Sequence, residues 1–235
     1  MGVPVFYLEA PEKTNYLSAD DSFHAHKVLR LKIGDPIQIL NGNGKKFNAI
    51  IALSDSRKTE FRQLELDSEQ STNPNILKLW IAPTKQMERM EWMIEKCTEI
   101  GIDTIGFFVS KNSERKEIKL QRLEKIVVSA IKQSKQLYLP KLREIITLKK
   151  LVEELGQEKE GVGFAYISKE PIDSISTLIE THKIRNVIIG PEGDFTQEEV
   201  ETFFKSGFKP FSLGNSILRT ETAGIKTTVA FSLNN

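Results

Sequence analysis

The residues of this chain whose types and spacing could support chemistry fall in two strings near the C-terminal end. They are Gly190-Pro191-Glu192-Gly193-Asp194-Phe195 and, some twenty residues later, Leu213-Gly214-Asn215-Ser216-Ile217-Leu218-Arg219-Thr220-Glu221-Thr222-Ala223. The first follows Asn186 to Ile189, an apolar run without polar alternation, as in a strand covered by helices on both faces. Proline removes an amide donor and glycine relaxes the backbone, so the chain must turn at Gly190-Pro191 and expose backbone groups beyond the strand's carboxyl end. A helix follows at once: Thr196 and Glu199 have capping-box spacing, and Phe195 and Val200 occupy the staple positions. The second string repeats the plan, with Phe211 to Leu213 as strand, Gly214-Asn215 as turn and Thr220 as the expected helix cap. Turns at the carboxyl ends of strands are where open α/β sheets bind ligands, so the paired turns are the expected site.

Other chemistry-bearing residues point elsewhere or nowhere. Cys97, the one cysteine, allows no internal disulfide, and it falls in phase with Met87, Met90, Ile94 and Ile100 on one helical face, the pattern of a packed core thiol. His24 and His26 are two apart and face different ways on a helix, so no metal is expected. The sequence Gly161-Val162-Gly163 stands at the head of its strand instead of following it and lacks a third glycine, which argues against a dinucleotide fingerprint.

The elements that must position the turns divide in two. Before Asp67 the chain reads as a small β-rich domain: a strand over Val3 to Leu8, a helix over Asp20 to Arg30, a hairpin of Pro36–Leu40 and Lys46–Leu53 around Asn41-Gly42-Asn43-Gly44, and a strand over Lys58 to Leu66. The run from Asp67 to Asn75 has no apolar residue and is the expected linker, giving domains over 1–70 and 75–235. Beyond it, strands at Ile76–Ile81, Thr104–Val109 and Gly161–Ile167 alternate with helices at Lys85–Ile100 and Ile118–Leu137, which argues for a parallel α/β sheet. The 235 residues, 39% hydrophobic and 28% charged with a formal charge of +1, suit a globular protein; no signal peptide or membrane-length apolar run is seen, and a cytoplasmic location is expected. Charge is unevenly spread. Lys111 to Arg143 holds ten basic residues and three glutamates, a local +7, whereas residues 1–72 carry nine basic and ten acidic side chains. One-sided charge of this kind is the footprint of a polyanion-binding surface.

Together the strings Gly190 to Phe195 and Leu213 to Ala223 closely resemble the RsmE-type methyltransferases, bacterial enzymes of the SPOUT class that methylate N3 of a uridine in 16S ribosomal RNA with S-adenosylmethionine. His24 to Asp35 and Leu40 to Gly44 look like that family's N-terminal module, and Met87 to Trp92 like its following helix. The resemblance implies a PUA-like β-barrel that helps to hold RNA, a trefoil-knotted parallel-sheet domain, and a homodimer acting on 16S ribosomal RNA or the small ribosomal subunit. Carried over residue by residue, it implies a cofactor site at Gly190, Glu192, Gly193, Leu213, Gly214, Ile217 and Leu218. Arg219 would stabilise charge on the uracil, and Glu221 would take or relay the proton or hold the arginine. Arg30, Arg115, Arg122, Lys125, Lys132 and Lys135 are the expected RNA contacts. The chain departs from the family at Asp194, at Asn215-Ser216 and at Lys135-Gln136, where a lysine acts as a point charge instead of a planar fork. Two alternatives stay open: a knotted methyltransferase acting on another RNA, such as a transfer RNA ribose, and an RNA-binding protein without activity.

Overall fold

The computed structural model describes residues 2–158, 161–168 and 170–234. It separates into two compact units, one made of residues up to Asn73 together with Val128–Leu139, the other of Pro74–Val127 and Pro140 onward.

The first unit is built on a four-stranded sheet in the order β1 (Val5–Tyr7), β2 (Pro36–Leu40), β3 (Lys45–Leu53), β4 (Glu60–Glu69). β1 runs parallel to β2, and the remaining pairs are antiparallel. The predicted hairpin forms. Asn41 Oδ1 accepts from the amides of Asn43 and Lys45 at 2.9 Å each, while Gly42 and Gly44 take φ of 68° and 89°. Phe6, Ile37, Ile39, Phe47, Ile51 and Phe61 make the core of this sheet. The expected helix begins as α1 (Ala19–Phe23), capped by Ser18, and widens into a π turn over His24–Val28. The expected linker instead begins inside β4. Lys46 pairs with Asp67 at 2.8 Å and Lys45 with Glu69 at 3.4 Å, so cross-strand charges extend the strand where apolar alternation ends. The later segment completes the unit: Leu137 O accepts from Gly44 N, Leu139 N donates to Gly42 O, and the Tyr138 hydroxyl donates to Gln70 O.

The second unit carries a six-stranded sheet, every pair parallel, in the order β10-β8-β9-β5-β6-β7. In chain order its elements are β5 (Lys78–Ile81), α2 (Met87–Ile100), β6 (Thr104–Val109), α3 (Leu120–Ser134), β7 (Lys141–Thr147), α4 (Leu148–Leu155), β8 (Gly161–Ala165), α5 (Ile175–His182), β9 (Ile184–Ile189), α6 (Gln197–Lys205), β10 (Lys209–Phe211) and α7 (Thr220–Leu233). α3 crosses the division, its residues up to Val127 counting with this unit. Leu123, Val127 and Ile131, four residues apart on one helical face, are its buried stripe. β9 is buried along nearly its whole length, as its lack of alternation predicts. An aromatic cluster covers one part of the sheet, with the Phe203 ring 4.9 Å from both Phe164 and Phe195. α2 and α7 pack together so closely that a β-carbon on Gly224 would sit 2.7 Å from Met93 Sδ. Cys97 is fully buried there, and the Thr228 hydroxyl donates to its sulfur at 3.2 Å. The buried face of α2 includes Met93 and Thr98, while Met87 and Ile100 are only half-buried.

Candidate active site

Three turns leave the carboxyl ends of β8, β9 and β10, and together they wall a cavity of about 910 Å³. After β9, the chain turns through Gly190 and Pro191 into α6. The predicted capping box is present: Thr196 Oγ1 accepts from Glu199 N at 3.4 Å, and Glu199 Oε2 accepts from Thr196 N at 2.8 Å. Within the turn Asp194 N donates to Pro191 O, and Asp194 adopts a left-handed φ of 58° with its Oδ1 accepting from Phe195 N at 2.8 Å. A β-carbon on Gly190 would meet the Phe195 ring at 2.9 Å, so the residue's smallness lets the staple close against the strand end.

The turn after β10 forms the second wall from Ser212 to Thr220. The strand is shorter than expected: it ends at Phe211, and Ser212 only bridges to Ser174. Ser212 Oγ accepts from Gly214 N at 3.0 Å, and Gly214 has a φ of 104° that an L side chain would resist. Thr220 does not cap α7. The N-cap is Arg219, without a side-chain hydrogen bond, and Thr220 is the first helical residue, its hydroxyl donating to Gly190 O at 3.1 Å. That bond ties the two turns to each other. The third wall, from Ala165 to Ser168 and from Glu170 to Ile172, follows β8; sequence reasoning extended the strand to Ile167 and missed it, although Pro171 is a turn signal.

Of the expected cofactor residues, Gly190, Glu192, Leu213, Gly214, Ile217 and Leu218 line this cavity, with Arg219 beside them. Gly193 does not: the site of a β-carbon there lies 3.1 Å from Asn112 Cβ. Glu192 also has a role within the fold, its Oε1 accepting from Lys85 N at 3.1 Å. Glu221 is not in the wall either. It is 5% exposed, its ion-pair partner is Arg89 of α2 at 3.8 Å, and its Oε2 is buried without a hydrogen-bond partner among the described residues. The pairing of Arg219 with Glu221 that the sequence suggested is absent among the described residues, and Arg219 is exposed at the cavity edge. Arg89 and Asn112 are the neighbours sequence reasoning missed.

The expected RNA contacts are divided by their partners. Arg115 donates to the carbonyls of Thr84 and Lys85 at 3.1 and 2.7 Å. Arg122 forms a two-pronged pair with Glu91 at 2.6 and 2.8 Å, and Lys132 pairs with buried Asp21 at 2.8 Å. Lys125 and Lys135 are exposed on and just after α3, and Arg30 is exposed after the π turn; Lys135 and Arg30 have left-handed φ of 60° and 55°. Among the described residues no three His, Cys, Asp or Glu side chains gather as a metal site, and no helix is long and apolar enough to cross a membrane.

Comparison with known proteins assigns this architecture. A model of the RNA methyltransferase domain matches residues 71–232, and one of the RNA methyltransferase PUA domain matches residues 17–61. Ribosomal RNA small subunit methyltransferase E of Rickettsia conorii is 30% identical over 216 residues, spanning 89% of this chain and 85% of that protein. The crystal structure of a probable rRNA-methyltransferase from Porphyromonas gingivalis superposes with a TM-score of 0.87 at 36% identity, over 96% of this chain and 95% of the other. A ribosomal RNA small subunit methyltransferase E from Neisseria gonorrhoeae, crystallised with S-adenosyl methionine, gives a TM-score of 0.81 at 26% identity over 99% and 98%. With a parallel sheet, a cavity at its strand ends and a sequence match over most of its length, the chain belongs to the family of the ribosomal RNA small subunit methyltransferases E.

Proposed function

We propose that this protein methylates N3 of a uridine in the 16S ribosomal RNA of the small subunit, with S-adenosylmethionine as donor. The observation that carries the reading is the cavity where the turns after β8, β9 and β10 meet. Its volume lies within the range of roughly 300–1,000 Å³ typical of small-molecule sites. Its wall combines apolar Leu213, Ile217 and Leu218 with the carboxylates Glu170, Glu192 and Asp194, an apolar and acceptor lining that suits a flat heterocycle carried with positive charge. When bound, the cofactor supplies an electrophilic methyl group on a sulfonium. The chain itself has to turn the base out of its stack, align it and stabilise the uracil as its imide proton leaves. Arg219 stands at the edge of the cavity and would face the negative charge that develops on the base. Glu221, sealed behind the wall, holds Arg89 and so steadies the first turn of α7, from which Arg219 and Thr220 project.

RNA would be held chiefly by the first unit. Arg30 and Lys135 both belong to it and have no ion-pair partner among the described residues, whereas Arg122 and Lys132 are already matched by Glu91 and Asp21. The exposed Phe23 of α1 gives that unit an apolar ring for an unpaired base. The trefoil knot and the homodimer implied by the resemblance belong to the same proposal. Mass spectrometry of 16S ribosomal RNA from cells lacking the protein tests the reaction. One 3-methyluridine should disappear and return when the gene is restored; an unchanged 3-methyluridine content would sink the proposal.

A further inference from the structure

The turn that follows β9 is held from outside the cavity by a loop that sequence reasoning did not connect with it. After β6 the chain folds back on itself: Ser110 N donates to Ser113 Oγ at 3.0 Å, Ser113 N donates to Ser110 O, and both serines are buried. This closed loop presents Asn112. Its Nδ2 donates to Gly193 O at 3.1 Å and to Asp194 O at 3.0 Å, so both amide hydrogens serve consecutive carbonyls of the turn. Lys111 N donates to Glu199 Oε1 at 2.9 Å, on the carboxylate that closes the capping box through its other oxygen. Arg115 in turn anchors the loop to the carbonyls of Thr84 and Lys85, and Lys85 N holds Glu192.

Two features of the turn acquire a cause from this arrangement. Asp194 lines the cavity in a left-handed conformation, which a non-glycine residue keeps only where its surroundings over-determine it. Gly193 lies against Asn112 and outside the cavity wall, and its φ is not in the left-handed region. The missing β-carbon therefore admits Asn112 rather than a ligand.

We propose that Asn112 is a positioning residue for the cofactor: it sets the carbonyls of Gly193 and Asp194, and through them the wall formed by Pro191, Glu192 and Asp194. The inference rests on the methyltransferase reading. Gly193 acts in it only as the space that Asn112 fills.

The test compares the full chain with its Asn112→Asp, Asn112→Ala and Gly193→Ala variants, using tritiated S-adenosylmethionine and small ribosomal subunits. Asn112→Asp keeps the size of the side chain but removes both donors, so it decides the matter even if Asn112→Ala fails to fold. The KM for the cofactor should rise about ten-fold, the effect of one to two net hydrogen bonds. In contrast, kcat at saturating cofactor and the KM for subunits should stay within about two-fold, a split that general destabilisation would not give. Combining Asn112→Ala with Gly193→Ala should add little to either single change, because both act at one contact. A normal cofactor KM in Asn112→Asp, or full additivity of the pair, would overturn the inference alone. Failure of the unmodified chain to bind the cofactor would overturn the methyltransferase reading and this inference with it.

Discussion

Cys97 shows how far a single side chain can be read. Its phase along α2 identified it as core, and burial between α2 and α7 pushes its thiol from 9.0 up to about 12, with the hydrogen bond from Thr228 pulling weakly the other way. Because the folded state holds this proton more tightly than the unfolded state, the associated stability is fully present below about pH 9 and is lost as pH rises through about 12. At pH 8 the native protein should not react with a thiol reagent and should react with one equivalent once unfolded in denaturant. Labelling of the native chain at the unfolded rate would show that α2 and α7 part readily. Thr196 was legible for a different reason. A capping box is made of residues three apart, and its partners are in the string itself. Thr220 has the same type and a similar setting, yet its hydroxyl goes to Gly190, thirty residues earlier, and no local pattern distinguishes the two outcomes. Asn112 and Arg89 were illegible on the same ground, since the groups they hold lie 81 or more residues away in the chain.

At the scale of elements, the buried strands and the long amphipathic helices could be read because each carries its own periodicity. β7 and α4 could not. β7 is one of the sheet's two edge strands and mixes Lys141, Arg143 and Glu144 with its apolar residues, and α4 starts at the next residue with no glycine or proline between them. Thr147 serves as both the last residue of the strand and the cap of the helix, accepting from Lys150 N at 3.3 Å. The basic segment was legible as charge but not as partners. An arginine already matched by a carboxylate has fewer counterions to release than an exposed one, so charge counted along a sequence overstates its contribution to RNA binding. Replacing Arg30 and Lys135 by alanine should flatten the logarithmic salt dependence of RNA affinity by about 1.5, at roughly 0.7–0.9 per phosphate contact. Replacing Arg122 should change it by less than half as much per residue, given the two-pronged pair with Glu91. The measurement is binding of small ribosomal subunits across a salt series; a larger change from Arg122 than from Arg30 would return the RNA contact to the first half of α3.

For the molecule as a whole, the homodimer can be tested on apolar residues exposed by two helices that pack together. Trp92 on α2 is 51% exposed and Leu233 on α7 is 78% exposed, with Val229 one turn before Leu233. A contiguous exposed apolar patch is what marks an interaction surface, and a dimer formed on these helices would cover these groups. Sedimentation equilibrium should give twice the chain mass for the native protein and a single-chain mass for a Trp92→Glu, Leu233→Glu variant. A native protein of single-chain mass would refute the dimer. The knot calls for a companion measurement: a chain circularised through its ends while native and then unfolded should stay more compact than one circularised after unfolding. The make-up of the first unit has a further consequence, for how such a protein is inherited. The segment Val128–Leu139 supplies Leu137, Tyr138 and Leu139 to the Asn41–Gly44 hairpin and to the end of β4, although two strands and a helix of the other unit intervene in the chain. Neither unit is therefore a cassette. A single crossover that exchanged the N-terminal portion of two diverged genes would separate this hairpin from the residues that brace it, so the two halves are expected to travel, and to diverge, together.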